Sequence, residues 1–423
     1  MSKIFKIVIC SFLLGIGLSA NAQSGTVSPY SRFGLGDLSN ASTVSEFGMG
    51  GISLALTDST RFHTGNPANL TNIHRTIFQF GVFGELVSLN SNTANTNRNT
   101  SNLNYMAIAF PVAKWWKTGI SLNPFSSVGY EISERIEMDS IGGITNNYQG
   151  SGGLNKLEWS NAFMPIDGLS VGFAASYLFG SMDRSAIVRF DSTDFHNTNR
   201  LFRTNVNSLG IQLGVQYTYQ LTEENNISFA GSYGLGNELK ATRDELVYTF
   251  TEFSGFQTVK DTLSDKSSDG FIQLPSRLGF GAVYNHGTTW NLGAELSMQD
   301  WSNYRNFGES DSLSNSFTFA MGGSYTPNYR AVKSYLSTVT YRAGFHYGQT
   351  YLSLRNEALK DYGISFGFGL PLRTTRNTKN EVNIGFEFGK RGTLESNLIE
   401  ENYFRFKVGV TLNDKWFTKR KID

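Results

Sequence analysis

The feature that most constrains this chain is a two-residue alternation of apolar with small or polar side chains, repeated along most of its length. In 290–299, Trp290, Leu292, Ala294, Leu296 and Met298 make one set and Asn291, Gly293, Glu295, Ser297 and Gln299 the other. Phe229, Gly231, Tyr233 and Leu235 alternate in the same way with Ser228, Ala230, Ser232 and Gly234. So do Ile364, Phe366, Phe368 and Leu370 with Gly363, Ser365, Gly367 and Gly369, and Phe404, Phe406, Val408, Val410 and Leu412 with Arg405, Lys407, Gly409 and Thr411. Successive residues of a strand point to opposite faces, so each segment has one face for hydrocarbon and one for water. Strands that cross an outer membrane carry this pattern. Beyond residue 22 no apolar run is long enough for a membrane helix, and a chain in lipid can then satisfy its backbone only as a closed barrel.

A soluble sandwich also alternates, with its aromatic face buried. Three further features favour the barrel. Lys3 and Lys6, the apolar stretch 7–18 and Ala20-Asn21-Ala22 fall in the order of an export signal, which predicts a mature start at Gln23. Tight connections at 113–116, 165–168 and 286–288 alternate with long polar stretches at 137–151, 191–202 and 254–270, as expected for two unlike rims. Trp115, Trp116, Tyr284, Trp290, Trp416 and Phe417 gather beside the tight connections, where an interface girdle belongs. Composition agrees: 14% aromatic residues, 44 Gly and only 8 Pro favour strands. A net charge of +1 gives no sign of a nucleic-acid partner. Cys10, the only cysteine, lies within the expected signal, so no disulfide is expected.

The alternation predicts an all-β fold, a transmembrane antiparallel barrel of about fourteen strands. They fall near 76–90, 101–112, 117–136, 152–164, 169–190, 203–221, 227–253, 271–285, 289–307, 314–326, 334–352, 358–372, 381–390 and 403–416. Residues 23–75 do not alternate and are crowded with glycine and small polar residues, which suits a hatch, or plug, folded inside the lumen. The expected organisation is therefore a signal peptide at 1–22, an N-terminal hatch at 23–75 and the barrel at 76–423.

The lead into the first strand contains Gly50-Gly51-Ile52-Ser53-Leu54-Ala55, Asp58 and Asn66-Pro67-Ala68-Asn69-Leu70. Later come Leu274-Pro275-Ser276-Arg277-Leu278-Gly279, Tyr284 and Asp300-Trp301-Ser302. In order and spacing these resemble the FadL family of hydrophobic-compound channels, also known from the toluene channel TodX, across nearly the whole mature chain. The resemblance implies a fourteen-stranded barrel closed by an N-terminal hatch with Gly50, Gly51, Asn66, Pro67 and Ala68 in its motifs. It also implies passive uptake of hydrophobic small molecules, long-chain fatty acids or similar, with lateral exit at a kinked third strand. Here the third strand holds Asn123-Pro124-Phe125, and Pro124, lacking a ladder N–H, is expected to break pairing. A bulge that merely curves the wall is the alternative reading of the same residues.

By alternation Arg277, Glu295, Glu387, Arg405 and Lys407 face the lumen, where they would tie the hatch to the wall or tune the interior. The five histidines, His63, His74 and His196 among them, lack metal-ligand spacing. No Gly-x-Ser-x-Gly, phosphate-cradling glycine loop or His-Glu-x-x-His occurs, so neither a cofactor nor an enzyme is expected. Two functions compete most closely: a hatch-gated channel, whose partners are outer-membrane lipid and an apolar ligand, and a non-transporting, PorV-like subunit of an outer-membrane secretion or barrel-assembly complex. An aqueous porin is disfavoured by the hatch.

Overall fold

Fourteen staves form the wall. They are β1 Thr76–Asn90, β2 Asn95–Pro111, β3 Trp116–Met138, β4 Gly142–Ile166, β5 Leu169–Phe190 and β6 Asn197–Gln220. The seventh and eighth are each interrupted once: β7 runs as Asn225–Gly234 and Asn237–Phe253, and β8 as Phe256–Leu274 and Arg277–His286. The rest are β9 Trp290–Gln299, β10 Ser316–Tyr325, β11 Thr340–Leu354, β12 Glu357–Leu372, β13 Asn380–Gly392 and β14 Glu400–Asp414. The computed structural model describes residues 25–39, 42–139, 141–311, 313–372 and 379–415, so the expected export signal, Trp416 and Phe417 lie outside the described residues. Consecutive staves pair antiparallel, and β14 closes on β1 with Glu400 opposite Asn90 and Asp414 opposite Thr76. The result is a closed fourteen-stranded antiparallel barrel.

The alternation predicted from the sequence sets its faces. Phe366, Phe368, Leu292, Phe229 and Phe406 are exposed on the outer wall, whereas Ser365, Ser228, Glu295 and Lys407 are buried inside. At the rim carrying the short turns, the inner rim, Trp115 stacks beside Trp116 with ring centroids 6.2 Å apart, and Tyr284 lies 5.2 Å from Trp290.

β9 and β10, at 10 residues each, are just long enough to cross a bilayer. β3 to β6, at 22 to 25 residues, overshoot it at the outer rim. The outer part of β8, Phe256–Leu274, does the same, which corrects the loops expected at 137–151 and 254–270, both largely strand, and the second half of the one expected at 191–202. Beyond the bilayer both faces of a strand are wet, so the alternation that marks a membrane strand fades. The ninth strand is also shorter than expected: it stops at Gln299, and Trp301–Asn303 forms a 3-10 turn. There Trp301 is buried with its ring 4.7 Å from that of Tyr351, in an outer core shared with Leu35 and Val128.

Candidate functional site: the seam and the N-terminal segment

One junction of the wall is incomplete. β2 and β3 pair only from Met106 opposite Leu122 to Pro111 opposite Lys117. Beyond Leu122, β3 keeps β4 as a partner, with a register shift between Pro124 and Ser126 that leaves Phe125 as the extra residue. The sequence expects Pro124 to break pairing; the structure ends the β2 ladder at Leu122, two residues before it. It adds that the lost ladder is the one toward β2, while Pro124 stays in register with Asn155 of β4. Asn123 and Ser126 are buried beside the break, and neither Asn123 Oδ1 nor Ser126 Oγ has a hydrogen-bond partner.

A two-residue strand of the N-terminal segment, Asp37–Leu38, occupies this edge of β3, with Asp37 opposite Ser127 and Leu38 opposite Ser126. The Ser39 N–H continues the contact by donating to the Phe125 carbonyl at 3.0 Å. Asp37 is fixed from across the β14–β1 closure by Arg391 of β13, whose Nη1 lies 2.7 Å from Asp37 Oδ1. The Arg391 Nε donates to Glu401 of β14 at 2.7 Å, and the Ser28 hydroxyl reaches the same carboxylate at 2.5 Å. Opposite charges on three segments thus converge on the strand that closes the seam. The sequence reading missed this set. Asp37 stands in the glycine-rich lead, and Arg391 and Glu401 fall on inward-facing positions, but nothing in one sequence says that they meet.

The remainder of the segment is bonded to the inner wall. Thr43 caps helix α1, Val44–Phe47, in a capping box with Glu46, whose carboxylate also holds His63 Nδ1 at 2.5 Å. Gly50 and Gly51 then turn at φ +74° and +90°, values that favour glycine. The Gly50 N–H donates to Ser365 Oγ at 2.8 Å. A side chain at Gly322 of β10 or Gly344 of β11 would strike the backbone of Met49 and Gly50, so these glycines let the segment approach. Asn66 accepts from the Ala68 N–H at 3.0 Å, capping the 3-10 helix Pro67–Asn72, and donates to the carbonyls of Leu54 and Val215. The motif residues Gly50, Gly51, Asn66, Pro67 and Ala68 are therefore turn and anchor residues.

Of the five expected lumen charges, Glu295 binds the segment directly, accepting from the N–H groups of Ser53 at 2.7 Å and Leu54 at 2.9 Å. Lys407 donates to the Ser42 carbonyl and hydroxyl, each at 3.2 Å. Arg405 and Glu387 instead form a cross-strand rung with Glu85, at 2.7 Å to Glu85 and 3.3 Å to Glu387. Arg277 lines the same interior cavity of about 350 Å³ and is the most open of the five. Nearer the inner rim Arg61 is paired with Asp58 and lies 2.6 Å from Glu381, which also takes Arg342 at 2.9 Å. Burial alone would raise the Asp58 carboxyl, but the Arg61 guanidinium holds it well below the usual carboxylate range. That contribution is complete above about pH 4 and is lost only in strong acid, as the pH falls through the lowered value.

These bonds predict that Glu295→Ala loosens the segment locally. The buried Leu54 N–H and the half-buried Ser53 N–H lose their acceptor, a cost of about 1–3 kcal/mol, so hydrogen exchange at Ser53 and Leu54 should accelerate in the folded barrel. Unchanged protection at both amides would show that the carboxylate does not hold the segment.

Toward the outer rim, a second cavity of about 1750 Å³ reaches from Gly25, Val27 and Pro29 to Pro124, Ser126 and Ser127 at the seam. The two cavities share Pro124 and Ser127. Among the described residues no group of three or more His, Cys, Asp or Glu is placed to hold a metal ion.

A closed, even-stranded antiparallel barrel with an apolar outer wall, short turns on one rim and long extensions on the other is a β-barrel of the outer-membrane type. The chain belongs to the BamG family, whose model matches residues 1–423. Its fold is FadL-like. It is similar to the Pseudomonas putida toluene transporter TodX at 14% identity over 90% of this chain and 100% of that one, with a TM-score of 0.57. A Pseudomonas aeruginosa FadL homologue matches at 15% identity, over 89% and 98%, with a TM-score of 0.55. The Ralstonia pickettii toluene transporter TbuX matches at 14%, over 87% and 97%, with a TM-score of 0.53. No curated protein matches the chain in sequence.

Proposed function

We propose that this is an outer-membrane barrel that passes apolar small molecules from its outer cavity sideways into the bilayer, through the seam between β2 and β3. In this reading residues 1–22 are a cleaved export signal, 23–75 are the hatch, and Asn123, Pro124 and Phe125 border a lateral gate. The observation that carries it is the seam itself. The ladder is missing on one side of β3 only, the gap adjoins a large outer cavity, and a two-residue strand rather than a full stave covers it. The charged bonds beneath the seam suit a fixed floor, so that molecules leave sideways and not through the lumen. The description of TodX and TbuX as toluene transporters supports apolar compounds as the cargo class, with fatty acids a longer member of it. Lipid and an apolar ligand are the partners; no nucleic acid, cofactor or catalysis is invoked.

The BamG family match favours a second reading, a non-transporting subunit of an outer-membrane assembly complex. One experiment addresses both. Replacing Asn123-Pro124 with Thr-Val supplies a ladder N–H and β propensity at the break. Entry of an apolar probe into cells at matched surface abundance is expected to fall, with barrel stability unchanged or higher. Undiminished entry would remove the lateral route. No probe entry by the native chain, together with a stoichiometric partner after gentle extraction, would establish the subunit instead.

A further inference from the structure

The connection between β10 and β11 departs from the rest of the inner rim. The fully described turns there, 112–115, 167–168, 221–224 and 287–289, have two to four residues, whereas 326–339 has fourteen. The sequence reading began a strand at Ser334, but the chain forms a 3-10 turn at Leu336–Thr338 and enters β11 at Thr340.

This loop is ordered by its own bonds. The Asn328 N–H donates to the Ser337 carbonyl at 2.8 Å and the Thr338 hydroxyl to the Tyr335 carbonyl at 2.6 Å. It also reaches across to the next hairpin. The Tyr335 hydroxyl donates to the Pro371 carbonyl at 3.3 Å, and the Lys379 ammonium sits 5.0 Å from the Tyr329 ring centroid. A cavity of about 490 Å³, lined by Tyr329, Ala331 and Tyr335 on one side and by residues 56–61 and 63 on the other, separates loop from hatch. Residues 329–335 therefore lie across the inner mouth of the barrel, and at Leu336 the loop returns to the foot of the wall, its carbonyl accepting from the Tyr341 hydroxyl at 3.1 Å.

Its tip is apolar and basic. Val332 is 86% exposed and Leu336 69%, beside Arg330 and Lys333, and residues 326–339 contain no Asp or Glu. Two large aliphatic side chains held out in water on an ordered loop, with cations of one sign around them, match the anatomy of an interface core with a charged rim. The placement beneath the mouth argues for a protein over a lipid surface, and the charge fixes its complement.

We propose that residues 326–339 are a docking loop for a protein partner on the inner side of the membrane, one presenting an apolar pocket ringed by Asp and Glu. The inference stands whether or not the barrel conducts.

The test uses the full chain in its own membrane with Val332→p-benzoylphenylalanine as a photo-crosslinker. The expected product is one protein adduct, identified by mass spectrometry and acidic at the crosslinked surface. Its yield should fall about tenfold with Arg330→Glu and Lys333→Glu together, and again as salt is raised. Leu336→Ser, which leaves the charges in place, should also reduce it. Heat-modified migration on gels checks that each variant barrel is folded. Lipid adducts alone, no protein adduct above a control crosslinker at Glu223, or a yield indifferent to the charge reversal would each overturn the proposal.

Discussion

Arginine at either of two neighbouring positions on β12, Phe366 or Ser365, is expected to cripple the barrel, for different physical reasons. Phe366 is 46% exposed on the outer wall, and Phe366→Arg puts a charge into hydrocarbon at a cost of about 2–4 kcal/mol near the bilayer midplane. A lumen-facing neighbour would ordinarily tolerate the change. Ser365, however, is 0% exposed and accepts the Gly50 N–H, so Ser365→Arg drives an unpaired cation into the packed junction between the wall and the N-terminal segment. An uncompensated buried charge costs about 3–5 kcal/mol. Refolding into lipid bilayers should therefore show both variants severely destabilised, with protection of the N-terminal segment lost first in Ser365→Arg. A mild Ser365→Arg would mean that the N-terminal segment does not press on β12.

Arg391→Met should release the strand that covers the seam. Removal of this guanidinium leaves Asp37 and Glu401 facing each other across a buried site, again at about 3–5 kcal/mol. β13 and β14 are joined by a continuous ladder, whereas Asp37–Leu38 has only two rungs, so the loss should appear as local opening. Protease accessibility near Asp37 should rise while the barrel remains resistant to heat unfolding on gels, and entry of an apolar probe should increase. Asp37→Asn and Glu401→Gln added to Arg391→Met should restore much of the protection, because the stranded charges cause the opening. If the triple variant is as open as the single one, the clamp acts through packing and not through charge.

The sequence carried the barrel legibly because lipid on one face and a packed interior on the other impose opposite demands on alternate residues. Leu292 and Phe366 could be assigned outward, and Glu295 and Lys407 inward, without a structure. Where those demands lapse, so did the reading. The extensions of β3 to β6 are wet on both sides, and at 334–339 a short alternating stretch imitated the start of a strand. Pro124 marked the break because its missing N–H is a local property. That Asp37–Leu38 takes the place of β2 along this edge depends on residues more than eighty positions apart. The Arg391, Asp37 and Glu401 clamp was invisible for the same reason, each member being an unremarkable lumen charge until the barrel closes.

A reversible lock tests lateral passage most directly. Leu38 and Ser126 are opposed across antiparallel strands, a separation within disulfide reach, and the only native cysteine lies in the expected signal. Entry of an apolar probe into cells carrying Leu38→Cys with Ser126→Cys should be blocked when the pair is oxidised and return on reduction, while each single variant behaves as the native chain. Entry unaffected by oxidation, with the crosslink verified by mass spectrometry, would contradict passage through this seam.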